Sequence, residues 1–161
     1  MRFSLVDRIT DVEPDVRITA VKTLSLAEEY LADHFPSAPV MPGVMMLESL
    51  IQTAAWLIRG SEDFAHSMVI LKEARGVKFA NFVEPGQTLT ITAEIQSQTD
   101  REIKFKARGE VAGAVAVSAK IVMEKYNLAA EKPEEAATDA FIIEQLRRTY
   151  ALLCPVAPSA A

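Results

Sequence analysis

Only two residues of the 161 are histidines, His34 and His66. A neutral imidazole titrates at roughly 6.5, so it can take or give a proton at physiological pH. His34 stands on a stretch holding Pro36, Pro39 and Pro42. Three prolines so close forbid a regular helix and stiffen the loop. Glu48 follows, the only charge between His34 and Arg59. It lies in a run, Val44 to Ile58, that is apolar almost all the way round a helix, and such a helix is buried on most sides. A buried carboxyl is costly to ionise, so it tends to hold its proton near neutral pH and can act as a general acid. Gln52 is one turn on, at i+4, within hydrogen-bonding reach of Glu48. Pro42-Gly43 opens the helix. The first helical N–H groups lack internal acceptors, and a glycine lets a ligand approach them, so this end can polarise a carbonyl oxygen. One segment thus offers a base, an acid and an oxyanion donor. Each part also has a plainer reading: a surface histidine, a satisfied Glu48–Gln52 pair in the core or a helix face that meets solvent, and a loop-to-helix glycine. On the residues alone both readings of Glu48 stand.

The elements that must hold these residues are legible in the periodicity. Phe3 to Leu24 reads as two strands about a turn at Glu13-Pro14-Asp15, and Ser25 to Pro42 as irregular. A helix is predicted from Gly43 to Arg59, stopped by Gly60 as its C′ residue, at the centre of the fold and wrapped by sheet. Met68–Leu71 and Gly76–Phe82 read as two separate short runs, followed by a turn at Glu84-Pro85-Gly86. Three alternating runs, Leu89–Ile95, Ile103–Ala107 and Val115–Met123, predict an antiparallel meander. Glu131 to Asp139 is polar and acidic, like a linker. An amphipathic helix follows, with Thr138 or Asp139 as N-cap, docked on the body or on a partner subunit. Pro155–Ala161 reads as frayed.

Composition narrows the function. The chain is 50% hydrophobic and 24% charged, with a formal charge of -5. That excludes a largely disordered chain and gives no basic surplus for nucleic acid. The longest apolar stretch is too short and too polar to span a membrane, and Met1 to Arg8, with no apolar core, is not expected to act as a secretory signal. With Cys154 as the lone cysteine, a reducing, cytoplasmic setting is expected. His66 reads as a surface residue, and neither histidine has metal-ligand spacing.

The segment His34-Phe35-Pro36-Ser37-Ala38-Pro39-Val40-Met41-Pro42-Gly43-Val44 and the helix bearing Glu48 and Gln52 closely resemble the signature of FabZ-type 3-hydroxyacyl-[acyl carrier protein] dehydratases, in the FabA/FabZ-like hot-dog family. Leu5-Val6-Asp7-Arg8, Val77-Lys78-Phe79 and Val83-Glu84-Pro85-Gly86-Gln87-Thr88-Leu89 are also similar, so the likeness spans roughly residues 3 to 125. It implies an α+β hot-dog fold, an antiparallel sheet wrapped around a long central helix. Residues 1–128 would form this domain, and 129–161 a polar linker, an extra C-terminal helix and the tail. It implies reversible dehydration of a 3-hydroxyacyl thioester, on acyl carrier protein or CoA, to the trans-2-enoyl thioester. His34 would take the α-proton and Glu48 protonate the departing hydroxyl. The Gly43 N–H would bind the thioester carbonyl. Gln52, Pro42 and Phe35 would support them, and Val44, Ile51 and Phe79 would line a substrate tunnel. No cofactor and no metal is implied. A homodimer is, with His34 of one subunit meeting Glu48 of the other; such dimers often assemble further into hexamers, as trimers of dimers. Glutamate, where the FabA type has aspartate, implies dehydration without double-bond isomerisation.

The sequence departs from the family at several positions. The usual H-R-x-P-F start is absent, Gln87 replaces an aspartate, Ala80 an arginine and Ile51 an alanine, and the tail after Tyr126 is longer. These leave room for a specialised acyl pathway beside fatty-acid synthesis. A hot-dog thioesterase would not need the H-F-P-x-x-P-x-M-P-G frame. A non-catalytic acyl-binding protein would be expected to lose His34 or Glu48. For an acidic carrier, Lys72, Arg75 and Lys78 are candidate contacts.

Overall fold

The period-two runs become strands with their apolar positions inward. Leu89, Ile91 and Ala93, and likewise Ile103, Phe105 and Ala107, are buried, while Lys104 and Lys106 between the latter face out. A computed structural model describes residues 3–154. Its strands are β1 (Arg8–Glu13), β2 (Arg17–Thr23), β3 (Met68–Phe79), β4 (Thr88–Gln98), β5 (Glu102–Val111) and β6 (Ala114–Tyr126). They form one six-stranded sheet in the order β1-β2-β4-β5-β6-β3. Every pairing is antiparallel, and the meander is present, with Ala93 opposite Ala107 and Ala107 opposite Ala119.

Helix α1 (Gly43–Ser61) packs across strands β2 to β6. Its 19 residues span about 28 Å. Leu50, Leu57 and Ile58 are fully buried, each contributing on the order of 2 kcal/mol from apolar burial. The buried hydroxyls on the helix are satisfied within it: Ser49 Oγ donates to the Met45 carbonyl (3.0 Å) and Thr53 Oγ1 to the Ser49 carbonyl (2.8 Å). Wrapped helix and antiparallel sheet make the expected hot-dog arrangement.

Three local readings are corrected. The runs Met68–Leu71 and Gly76–Phe82 belong in large part to one strand, β3, which ends at Phe79. Irregularities between Leu71 and Glu73 and between Arg75 and Lys78, with Gly76 at φ 58°, interrupt its alternation. A bulge shifts the inward–outward period, so one strand reads as two. Gly60 does not end α1, which continues to Ser61; the chain turns out through Asp63 and Phe64, both at positive φ. A Cβ on Gly60 would lie 2.9 Å from the Tyr150 hydroxyl. The glycine serves close helix approach, which helical periodicity cannot distinguish from a stop.

The third correction concerns helix α2 (Ala136–Leu153), which starts earlier than predicted, after Glu135 and without a side-chain cap. A short 3₁₀ turn, Leu128–Ala130, precedes the expected linker, and a second, Pro133–Glu135, lies within it. The helix docks on the body: Tyr150 lies edge-on to Phe64 and tilted against Trp56. Asp139 is no N-cap. Inside α2 and buried, it accepts the Ser67 hydroxyl and the N–H groups of Leu128 (3.0 Å) and Ala129 (2.9 Å). The expected fraying of 155–161 lies outside the described residues.

Burial opposes the Asp139 charge, but these hydrogen bonds outweigh it and hold the carboxyl below its ordinary range. A depressed folded-state value stabilises the fold above the unfolded value of about 4, and that contribution is lost as pH falls through the folded value. Asp139→Asn should therefore lower the Tm at pH 7, and the gap from wild type should narrow below about pH 4. Thermal unfolding from pH 7 to pH 3 checks this; a constant gap would mean that the carboxylate charge is not what holds α2.

Candidate active site

The loop that carries His34 is pinned at both ends. At its start Lys22, buried in β2, pairs with Glu28 (2.6 Å) and Asp7 (3.2 Å). Burial works against the ammonium charge, yet the two carboxylates prevail and hold its pKa above the usual lysine value. Leu31, in a short 3₁₀ turn, is buried in the core. At the far end the Met41 N–H donates to the Val83 carbonyl (2.8 Å). Between these points Phe35 adopts φ 52°, a conformation that costs a bulky residue about 1 kcal/mol or more. Its ring stands edge-on to the His34 imidazole, with centroids 4.5 Å apart.

Pro42 forms the entry to α1, and its carbonyl accepts the N–H groups of Met45 (2.9 Å) and Met46 (3.1 Å). The preceding N–H groups, those of Gly43 and Val44, lie before the first acceptor of the helix. Gly43 opens on a cavity of about 250 Å³ whose walls include His34, Met41, Met46, Phe79 and Phe82. His34 and the Gly43 end of α1 therefore share one space. A Cβ on Gly43 would come within 3.1 Å of the Phe79 ring.

Glu48 is not in that cavity. It is half-buried, not enclosed as predicted. The sheet covers α1 most fully from Thr53 to Ile58, whereas Val44 is 68% exposed and Leu47, Glu48 and Ile51 are only half-buried. The pair with Gln52 does form: Nε2 donates to Glu48 Oε1 (3.0 Å). The same amide donates to the Phe3 carbonyl (3.1 Å) and accepts the Leu5 N–H (2.9 Å). Of the residues read as tunnel, Phe79 lines the cavity, while Val44 and Ile51 do not.

The sequence reading missed Asn81 and Phe82. Asn81 Nδ2 holds the Val115 carbonyl (2.7 Å) and fixes the turn that carries Phe82, which is 70% exposed, to the cavity rim. An exposed phenylalanine beside a turn was the available signal. His66 is half-buried and faces Glu62 (3.1 Å). Among the described residues no cluster of metal-ligating side chains occurs, and no helix is long and apolar enough to cross a membrane.

A family model described as the FabA-like domain matches residues 1–120. The chain belongs to this family. Among its relatives is the 3-hydroxyacyl-[acyl-carrier-protein] dehydratase FabZ of Wolbachia pipientis wMel, 38% identical over 109 residues, covering 68% of this chain and 76% of that protein. The enzyme of that name from Janthinobacterium sp. (strain Marseille) is 40% identical over 121 residues, covering 73% and 78%. Among solved structures, the dehydratase heterocomplex ApeI:P from Xenorhabdus doucetiae is similar at TM-score 0.65 and 19% identity, over 78% of this chain and 85% of that one. A hypothetical thioesterase with coenzyme A from Streptococcus pneumoniae TIGR4 reaches TM-score 0.57 at 12% identity, over 74% and 84%. Both likenesses show the hot-dog fold alone. One departure from the family has a visible local solution: Gln87 Oε1 accepts the Glu84 N–H (2.9 Å), closing the turn at Gly86. Helix α2 lies beyond the residues matched by the family model.

The Gly43–Phe79 contact gives a direct check. Phe79 is 52% exposed, so its ring can yield. Gly43→Ala should cost no more than about 1 kcal/mol in denaturant unfolding and narrow the cavity beside His34. A loss of several kcal/mol would show that the ring is locked in place.

Proposed function

We infer that this protein is a 3-hydroxyacyl-[acyl carrier protein] dehydratase of fatty-acid biosynthesis, a hydro-lyase. The observation that carries the reading is the identity of 36–40% with FabZ dehydratases across about 70% of the chain. The cavity shared by His34 and the Gly43 end of α1 supports it with chemistry. In the proposed reaction the His34 imidazole takes a proton from the carbon next to the thioester carbonyl. The carbonyl oxygen gains charge and is met by the N–H of Gly43. The C–O bond at the 3-position breaks, and the hydroxyl leaves as water with a proton from Glu48, as the 2,3-double bond forms. Electrons balance without a redox partner.

We propose that the Glu48 in each site comes from a second copy of the chain. Glu48 is outside the cavity of its own His34. Among the described residues edge strand β3 pairs with β6 alone, and it bears the exposed Ile70, Leu71 and Phe79. The outer edge of this 12-residue strand leaves backbone groups open to another strand, for all its charges at Lys72, Glu73, Arg75 and Lys78, and a two-fold pairing would bring two such surfaces together. For an acidic carrier, Lys78 is the strongest of the three candidates, exposed and without an ion pair among the described residues. Lys72 and Arg75 are engaged by Glu102 and Glu73 (2.5 Å for the latter).

A thioesterase has support only at the level of fold, through neighbours such as the Streptococcus pneumoniae protein. Hydration of crotonoyl thioester, on CoA or carrier protein, tests the class; hydrolysis of the thioester without hydration would favour the other enzyme. His34→Ala and Glu48→Gln should each lower kcat by at least about 100-fold. Mixed in equal amounts and allowed to exchange subunits, the two inactive variants should recover about a quarter of wild-type activity, because half the dimers then hold one intact site. Failure to recover, with exchange confirmed by mass, would place both groups on one chain.

A further inference from the structure

Gln52 is a saturated side chain whose orientation is decided by main-chain atoms. Its Oε1 accepts the Leu5 N–H (2.9 Å), and its Nε2 donates both to the Phe3 carbonyl (3.1 Å) and to Glu48 Oε1 (3.0 Å). If the amide were turned over, oxygen would face oxygen at Phe3 and NH₂ would face N–H at Leu5. All three hydrogen bonds would be lost and their partners left unsatisfied. One orientation therefore holds, and in it NH₂ points at Glu48. The clamp has a firm base. Leu5 is buried, and two residues on, Asp7 is held by β2 through its N–H to the Val21 carbonyl (2.8 Å) and through its carboxylate to the Thr23 N–H (2.7 Å).

An amide NH₂ donates and cannot accept. Glu48 Oε1 is thus kept as an acceptor in both protonation states, and the proton is left to Oε2. We propose that the Phe3–Leu5 main chain, acting through Gln52, is the positioning element of the acid: it fixes the Glu48 carboxyl and selects Oε2 as the oxygen that carries the proton. This rests on the reading of Glu48 as the acid. Gln52 is a positioning residue and need not touch substrate.

The test is a double-mutant cycle read in kcat and KM. Gln52→Met keeps the length and removes all three hydrogen bonds; kcat should fall about tenfold, with KM within about twofold. A chain without residues 1–3, begun by Ser4→Met, loses the Phe3 carbonyl and should fall about threefold in kcat. In the Gln52→Met background the same truncation should cost nothing further. If truncation costs the same factor in both backgrounds, the segment merely supports the fold and the proposal is wrong. Gln52→Glu serves if Gln52→Met does not fold: it keeps an acceptor for Leu5 but opposes Phe3 and Glu48, so kcat should again drop with KM held, and unchanged kcat overturns the proposal. Glu48→Gln separates the two readings. If it retains kcat, the acid assignment fails and the positioning role falls with it. If it loses kcat while both clamp variants behave as wild type, the acid stands and the clamp alone is refuted.

Discussion

Everything in this fold follows from the difficulty of placing helix α1. Apart from Glu48, Gln52, Arg59 and a few hydroxyls it offers water almost nothing polar, and a helix of that kind is stable only inside a protein. The sheet answers by wrapping it, with Leu50, Leu57 and Ile58 fully enclosed. The wrap is uneven. It is deepest towards the C-terminal half and thins over the first two turns, where Val44, Leu47, Glu48 and Ile51 reach the surface. The free N–H groups of the helix start lie in that thin region, beside the cavity holding His34. The element that makes the core also presents the polar end on which the proposed chemistry depends.

The loop before α1 obeys a second constraint. A histidine on a flexible loop would lose much of its value as a base, since orientation contributes several kcal/mol to such steps. Here rigidity comes from different sources at different points: a buried lysine between two carboxylates, a leucine in the core, a backbone bond to Val83 and the prolines themselves. The positive φ of Phe35 is tolerated because these restraints leave the chain little choice.

Much of this was legible in the sequence. Alternation gave β4, β5 and β6, the all-round apolar run gave the central helix, and the His34–Gln52 segment carried the family. What escaped were features that depend on contacts distant along the chain. Gly60 looks like a helix stop because nothing nearby reveals Tyr150, 90 positions later, pressing against it. Asp139 looks like a cap because its partners, Ser67 and the turn at Leu128–Ala129, are brought to it by folding. The Phe3–Gln52–Leu5 bonds were invisible for another reason: two of the three groups are main-chain atoms, and backbone carries no residue signature. Glu48 was misjudged in burial because an apolar surround in sequence does not say which end of a helix the sheet leaves bare.

That bare end bears on how folding and chemistry are coupled. Part of the apolar surface that a single chain leaves uncovered lies at Val44 on α1, at Ile70, Leu71 and Phe79 on edge strand β3, and at Phe82 just beyond it. Exposed apolar surface is costly to leave in water, and two of these residues, Phe79 and Phe82, also border the His34 cavity. On the proposed two-chain reading, association would enclose the first turns of α1 and bring the missing carboxyl to the imidazole in one step. An isolated chain would then be deficient in stability and in catalysis for a single reason, the exposure of the N-terminal half of its central helix.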